Sequence, residues 1–261
     1  VPWSIKFTAE AAERYAAHLG RPIDPVRDCG SFVIASHTNA GWQEVAPGHW
    51  RDHFGVVWNK TRDRTLGVVD DPPLADGNFG DYRFPDPANC PVLARIPRDA
   101  AAYPDRFHML SIGFSLFERA WSLVGMEELL CLMMEEDPFV DELFTRIALW
   151  NEGLIRLAAP LGIDCLHLGD DWGSQHGPLI SPVLWRRYIA PHLQRCCALA
   201  KEQGLLVSLH CCGDVAILMD DILASGVDVF DPFQPEAMDI WTLRERYRGR
   251  LAFWGGLSVQ Q

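Results

Sequence analysis

From Asp105 onward the chain repeats one cycle: a short β-rich apolar run, a polar turn, then a longer helical pattern, often closed by glycine. The runs "RFHMLSIGF" (106–114), "IDCLHLGDDWG" (163–173), "LLVSLHCCGD" (205–214), "VDVFDPFQPEAMD" (227–239) and "LAFWGGLSV" (251–259) read as strands. Between two of them, "SPVLWRRYIAPHLQRCCALAKEQG" reads as a helix with Ser181 as N-cap and Gly204 as its stop, kinked or divided at Pro191. This alternation is the sign of successive parallel βα units.

The first hundred residues are less regular. "VPWSIKF" and "SFVIAS" are predicted strands and "TAEAAERYAAHLG" a predicted helix, while residues 39–104 are rich in Gly, Pro, Asp and Trp. That stretch is expected to be a loop-rich excursion, with antiparallel strands around "HFGVVWNK" and "RTLGVVD", lying over the strand C-termini as a partial lid. The strands number about seven, one short of a closed barrel. The expected fold is therefore α/β, a (β/α)8 TIM barrel lacking its last strand and helix in this chain, with residues 1–261 forming one domain. The opening on Val1 and the stop just after a strand are expected of a fragment.

Composition narrows the chemistry. With 261 residues and 48% hydrophobic content the chain is large enough for one substantial core. A formal net charge of −12 argues against nucleic acid or an anionic membrane as partner, because phosphate recognition needs clustered Lys and Arg. A small-molecule substrate is expected instead. No apolar stretch is long enough to span a bilayer, and the first residues lack the basic start and apolar centre of a signal peptide. Eight cysteines, two pairs of them adjacent, do not form the pattern of a secreted disulfide framework, so a cytoplasmic location is expected. The oligomeric state has no sequence signal.

In parallel α/β folds ligands gather at the carboxyl ends of the strands, and here each such end carries polar residues. One strand ends in Asp170, Asp171, Gln175 and His176, the next in His210, Cys211, Cys212 and Asp214, and a third in Asp231, Gln234 and Glu236. In the His-x-Cys step, residues two apart share a side of the strand, so His210 and Cys212 can share a metal while Cys211 turns into the wall. Imidazole with thiolate suits Zn²⁺. The other reading is that these are ordinary buried cysteines, since strong zinc patterns carry more ligands. Asp170 and Asp171 are candidate catalytic carboxylates, able to act as acid and base or to orient a substrate, and equally read as turn or capping residues. Phe114 and Trp172 are candidate aromatic walls of a substrate pocket, with Trp254 beside them, although a chain with ten tryptophans also needs them for its core. Gln175, His176, Gln234 and Glu236 complete the candidate substrate contacts.

The segments "HLGDDWGSQHGPLISPVLWRRYIAPHL", "GLLVSLHCCGDVAILMDDILASGVDVFDPFQPEAMDI" and "RLAFWGGLSVQQ", in this order and spacing, resemble the uroporphyrinogen decarboxylase superfamily, and within it the methyltransferase-like branch. "VPWSIKF" and "RFHMLSIGFSLFERAW" fit the same likeness. The resemblance implies a (β/α)8 barrel with its site at the strand C-termini. It implies zinc held by His210, Cys212 and a distant cysteine expected beyond Gln261. The implied chemistry is activation of a thiol that takes a methyl group from a corrinoid such as methylcobalamin, supplied as co-substrate or by a corrinoid protein, as in an O-demethylase system. The decarboxylase proper carries an arginine-rich segment near its first strand. Here that position holds "VPWSIKF", so the haem-pathway reaction is not expected. A metal-independent decarboxylase and a non-catalytic corrinoid or small-ligand binding barrel are the alternatives.

Overall fold

The computed structural model describes residues 3–5, 7–39 and 41–258. A six-stranded all-parallel sheet forms its centre. In spatial order the strands are β1 (Val33–His37), β6 (Phe107–Ile112), β7 (Cys165–Gly169), β10 (Leu206–His210), β11 (Val229–Phe233) and β12 (Ala252–Gly255). Spatial order follows chain order, and each crossover carries helix on the outside, which is the topology of a (β/α)8 barrel seen over six of its strands. The five strands expected after Asp105 and the one in "SFVIAS" are all present.

The flanking helices follow from their caps. In α1 (Ala9–Leu19) Thr8 accepts the Ala11 N–H, and Gly20 ends the helix at φ 67. The helix α2 (Pro25–Cys29) is capped by Asp24, and α6 (Pro138–Ala158) by Asp137 with proline at its first position. Ser181 caps α7 (Pro182–Tyr188), and the chain breaks at Ile189 before α8 (Ala190–Glu202), where Pro191 opens the second helix. The remaining helices are α3 (Val92–Ala102), α4 (Phe117–Val124), α5 (Met126–Glu135), α9 (Met219–Ala224) and α10 (Ile240–Arg246). Leu143, Phe144, Ile147, Leu154 and Ile155 of α6 are all fully or almost fully buried, as expected of a helix packed across the sheet. No helix among the described residues is long and apolar enough to cross a membrane.

Three features depart from the sequence expectation. The described residues of "VPWSIKF" form no strand: Trp3 contributes one bond, its carbonyl accepting the Phe32 N–H at 2.8 Å, and no ladder follows. Residues 39–104 are more ordered than a loop excursion. They hold a four-stranded antiparallel sheet, β2 (Gln43–Ala46), β3 (His49–Arg51), β4 (Val57–Asn59) and β5 (Val68–Asp71), of which only the last two were legible. The same stretch also holds α3, disguised because Pro97 lies inside it; a proline there removes one backbone donor yet the helix persists under packing of Val92 and Ile96.

This small sheet sits against the carboxyl end of β6. The fully buried Trp58 of β4 lies 5.0 Å from the Phe114 ring, just past β6, and 6.1 Å from Trp121 of α4. An ion pair between Asp52 and Arg119 of α4, 2.6 Å apart, ties the two parts together.

Candidate metal centre at the strand ends

The polar strand ends of β7, β10 and β11 meet at one place. His210 pairs in register with Gly169 on one side and Asp231 on the other, so the imidazole and the Asp231 carboxylate project from the same face of adjacent strands. His210 Nδ1 and Asp231 Oδ2 are 2.8 Å apart. That contact leaves Nε2 aimed along the strand toward Cys212, whose Sγ lies 3.3 Å away. Asp171 arrives from the β7 end: its Oδ1 accepts the Cys212 N–H at 2.7 Å and lies 3.8 Å from His210 Nε2. One donor atom each from Asp171, His210 and Cys212 therefore falls within a sphere where all lie within 4.8 Å of one another.

This donor set suits Zn²⁺, which accepts N, S and O ligands together. The surroundings suit it as well. A carboxylate on Nδ1 fixes the imidazole in the tautomer and orientation that a metal on Nε2 requires. His210 carries a pKa raised to about 10: burial opposes the charge, but the hydrogen bonds to Asp231 and Cys212 outweigh it. A third distant ligand, expected beyond Gln261, lies outside the described residues. A second trio, His167, His210 and Asp231, has the same compactness, with His167 Nε2 4.0 Å from Asp231 Oδ2 and its Nδ1 3.1 Å from Ser208 Oγ.

A cavity of about 550 Å³ opens beside these groups, lined by Ser4, Gln175, His210, Cys212, Asp231, Gln234 and the indole of Trp254 among others. Among the described residues that line it there is no Arg or Lys. Gln175 and Gln234 are among the lining residues, and Gln234 Oε1 accepts the Gly213 N–H at 3.4 Å. His176 is exposed on the two-residue turn between the short strands β8 (Gly173–Ser174) and β9 (Gly177–Pro178) and does not line the cavity. Glu236 is half-buried past β11 and is not a lining residue either.

The two neighbouring aspartates part company. Asp170 is completely buried, and its carboxylate accepts the backbone N–H groups of Leu116, Phe117 and Glu118 and the Trp172 indole N–H at 2.6–3.3 Å. It thereby caps the first turn of α4, which has no side-chain cap of its own. Burial nevertheless pushes its pKa up to about 6. Of the two candidate carboxylates, Asp170 is therefore turned into the interior as a helix cap, while Asp171 joins the donor cluster 3.8 Å from His210 Nε2. Trp172 is buried against Trp185, and Phe114 is packed with Trp58 and Trp121, so neither lines the cavity. Cys211 is fully buried, its sulfur receiving the Trp172 N–H at 3.2 Å.

Sequence reasoning passed over two members of the cluster. His167 sits mid-strand in the apolar run "CLHLG", and an isolated inward histidine there was the available signal. Glu118 follows β6 in "FERAW"; the Asp171 backbone N–H reaches its carboxyl group, and burial beside Asp170 and Asp171 raises its pKa well above the ordinary range.

With this geometry in place, the relationships to known proteins can be read. Residues 54–244 match the family model of uroporphyrinogen decarboxylase (URO-D). A solved structure, a methyltransferase from Methanosarcina mazei, shares the fold with a TM-score of 0.65 at 16% identity, over 77% of this chain and 59% of that one. The chain thus spans about 59% of the length of that protein. No curated relative matches. With well over half of its residues inside the family match, the chain belongs to the uroporphyrinogen decarboxylase (URO-D) family.

Proposed function

We propose that this chain is a zinc-dependent methyltransferase of the URO-D family, moving a methyl group between a corrinoid and a thiol or similar acceptor. The observation that carries the reading is the convergence of Asp171, His210 and Cys212 donor atoms within 4.8 Å of one another, beside a cavity that His210 and Cys212 line, with the His210 imidazole held at Nδ1 by Asp231. The methyltransferase name of the structural neighbour from Methanosarcina mazei supports the same direction. The corrinoid is expected as methylcobalamin or on a corrinoid protein, and the acceptor as a small molecule, in an arrangement of the O-demethylase kind.

Zinc bound here would act as a Lewis acid that keeps an incoming thiol in its thiolate form. Asp171, His210 and Cys212 would hold it. Asp231 would accept the Nδ1–H and so hold the neutral imidazole with Nε2 turned to the metal. Gln175 and Gln234 offer amide donors and acceptors on the cavity wall, and Trp254 an apolar surface, which together can orient a small acceptor. A polycarboxylated tetrapyrrole would meet no Arg or Lys among the described residues of this wall, which speaks for the methyltransferase reading over the decarboxylase one.

The test is metal content and transfer measured together. Protein purified without chelator should carry stoichiometric zinc and demethylate methylcobalamin in the presence of thiols, followed by the cobalamin absorbance change. Cys212→Ala should lose zinc and transfer together, whereas Cys211→Ala should keep both. Full transfer by a zinc-free protein, or equal damage from the two substitutions, would sink the proposal.

A further inference from the structure

A second cavity, of about 530 Å³, is lined by Asn39, Trp42, Trp50, Lys60 and Arg64, with Gly41 and Gly48 adding backbone only. It shares no lining residue with the cavity beside His210. Its position is nevertheless near the strand ends, since a Cβ built on Gly113, just past β6, would fall 3.1 Å from Asn39 Nδ2.

The lining combines two indoles with two cations in a chain whose net charge is −12. Trp42 is fixed from behind by stacking on the buried Trp58, ring centroids 5.5 Å apart. Trp50 is held by its register with Trp58 across the β3–β4 pair. The Lys60 ammonium sits 4.4 Å from the centre of the Trp42 ring and donates to the Thr65 carbonyl at 3.3 Å. Among the described residues it has no carboxylate within ion-pair distance; partial burial pulls its pKa below the ordinary lysine value, against the opposing charge of Asp63 nearby. Arg64 stands at the rim and shares its charge with Glu13 at 2.6 Å. An ammonium partly withdrawn from water, with no carboxylate in direct contact and set beside rigid indoles, favours an anion attached to a flat ring.

We propose that this cavity of the antiparallel sheet is a binding site for a planar aromatic anion, with the ring against Trp50 and the anionic group at Lys60, which itself rests on the Trp42 ring. Carboxylate and phosphate head groups share the chemistry that Lys60 and Arg64 would recognise.

Calorimetric titration of the protein decides it, using 2-naphthoate and 2-naphthyl phosphate as probes. The controls are 2-naphthamide, which lacks the charge, and decahydronaphthalene-2-carboxylate, which lacks the π-face. Saturable binding of at least one anionic naphthalene, about five-fold or more tighter than either control, is expected. The tighter of the two anions identifies the head group. Lys60→Met and Trp50→Leu should each weaken binding about ten-fold. If either substitution unfolds the protein by circular dichroism, Lys60→Arg and Arg64→Gln take its place. Retained binding in the first and about three-fold loss in the second support the site. Absence of saturable binding at millimolar concentration, equal binding of probes and controls, or indifference to Lys60→Met, Trp50→Leu or Arg64→Gln overturns the proposal. So does loss of binding in Cys212→Ala, which would put the ligand in the other cavity.

Discussion

Asp231 and His210 face each other across adjacent parallel strands, carboxylate Oδ2 to imidazole Nδ1 at 2.8 Å, on the side of the sheet that carries Cys212. The pairing register alone delivers this contact, so the imidazole is oriented by the sheet rather than by a loop. Asp231→Asn keeps the size but removes the charge that fixes the tautomer. Zinc affinity, measured by competition with a chromophoric chelator, should fall about 10–100-fold. Unchanged affinity would mean that His210 needs no such support.

Asp170 and Asp171 are neighbours with separable roles. Asp170→Ala strands three backbone N–H groups and an indole N–H in the interior, and urea denaturation should show a loss of about 4 kcal/mol. Asp171→Asn can still accept the Cys212 N–H through its amide oxygen, and its stability should change by less than about 1 kcal/mol. Its zinc affinity should nevertheless drop by about ten-fold or more. Comparable destabilisation by both substitutions would contradict this division.

The division also shows what the sequence could and could not convey. Strand ends and helix-end residues such as Ser181 and Gly204 act locally, through φ preferences and short-range hydrogen bonds, and were legible from their neighbours. The side that His210 and Cys212 share followed from two-residue periodicity. The fate of Asp170 did not, because its partners lie more than fifty residues away at the start of α4. Likewise "GWQEVAPGHW" hid the β2–β3 hairpin: its turn is formed at Pro47-Gly48, but its strands are short, polar and exposed on β2, so no apolar alternation marks them. Phe114 and Trp172 looked like pocket walls because aromatic residues at strand ends serve both uses; only packing against Trp58 and Trp185 decided between them.

Two glycines set the height of the cysteine loop. A Cβ on Gly173 would lie 2.5 Å from the Cys212 carbonyl oxygen, and Gly213, at φ 82, passes equally close to Gly173. The Asp214 N–H donates to the Ser174 carbonyl at 2.7 Å in the same contact. Gly173→Ala must therefore push the backbone of Cys212 away from β8, although no donor side chain is altered. Zinc retention during dialysis should fall, with a stability loss of about 2 kcal/mol by thermal melting. Wild-type zinc retention in this variant would show that the loop has slack.

The deepest charge pair lies outside the metal cluster. Arg119 and Asp52 are bonded at 2.6 Å with side chains only 5% and 1% exposed, and the guanidinium also lies over the Phe54 ring at 4.1 Å. Desolvating both ions makes the pair a poor net stabiliser, yet removing one partner leaves the other charge buried and uncompensated. Arg119→Met should cost about 3–5 kcal/mol in urea. A partner substitution does not simply cancel that loss here. Asp52 also accepts the N–H groups of Phe54 and Val56 and the Trp58 indole N–H, so its removal orphans three buried donors. The double variant Arg119→Met with Asp52→Leu should consequently be no more stable than Arg119→Met alone. Recovery of most of the lost stability in the double variant would show that the ion pair, and not the carboxylate's hold on β4, is what joins the antiparallel sheet to α4.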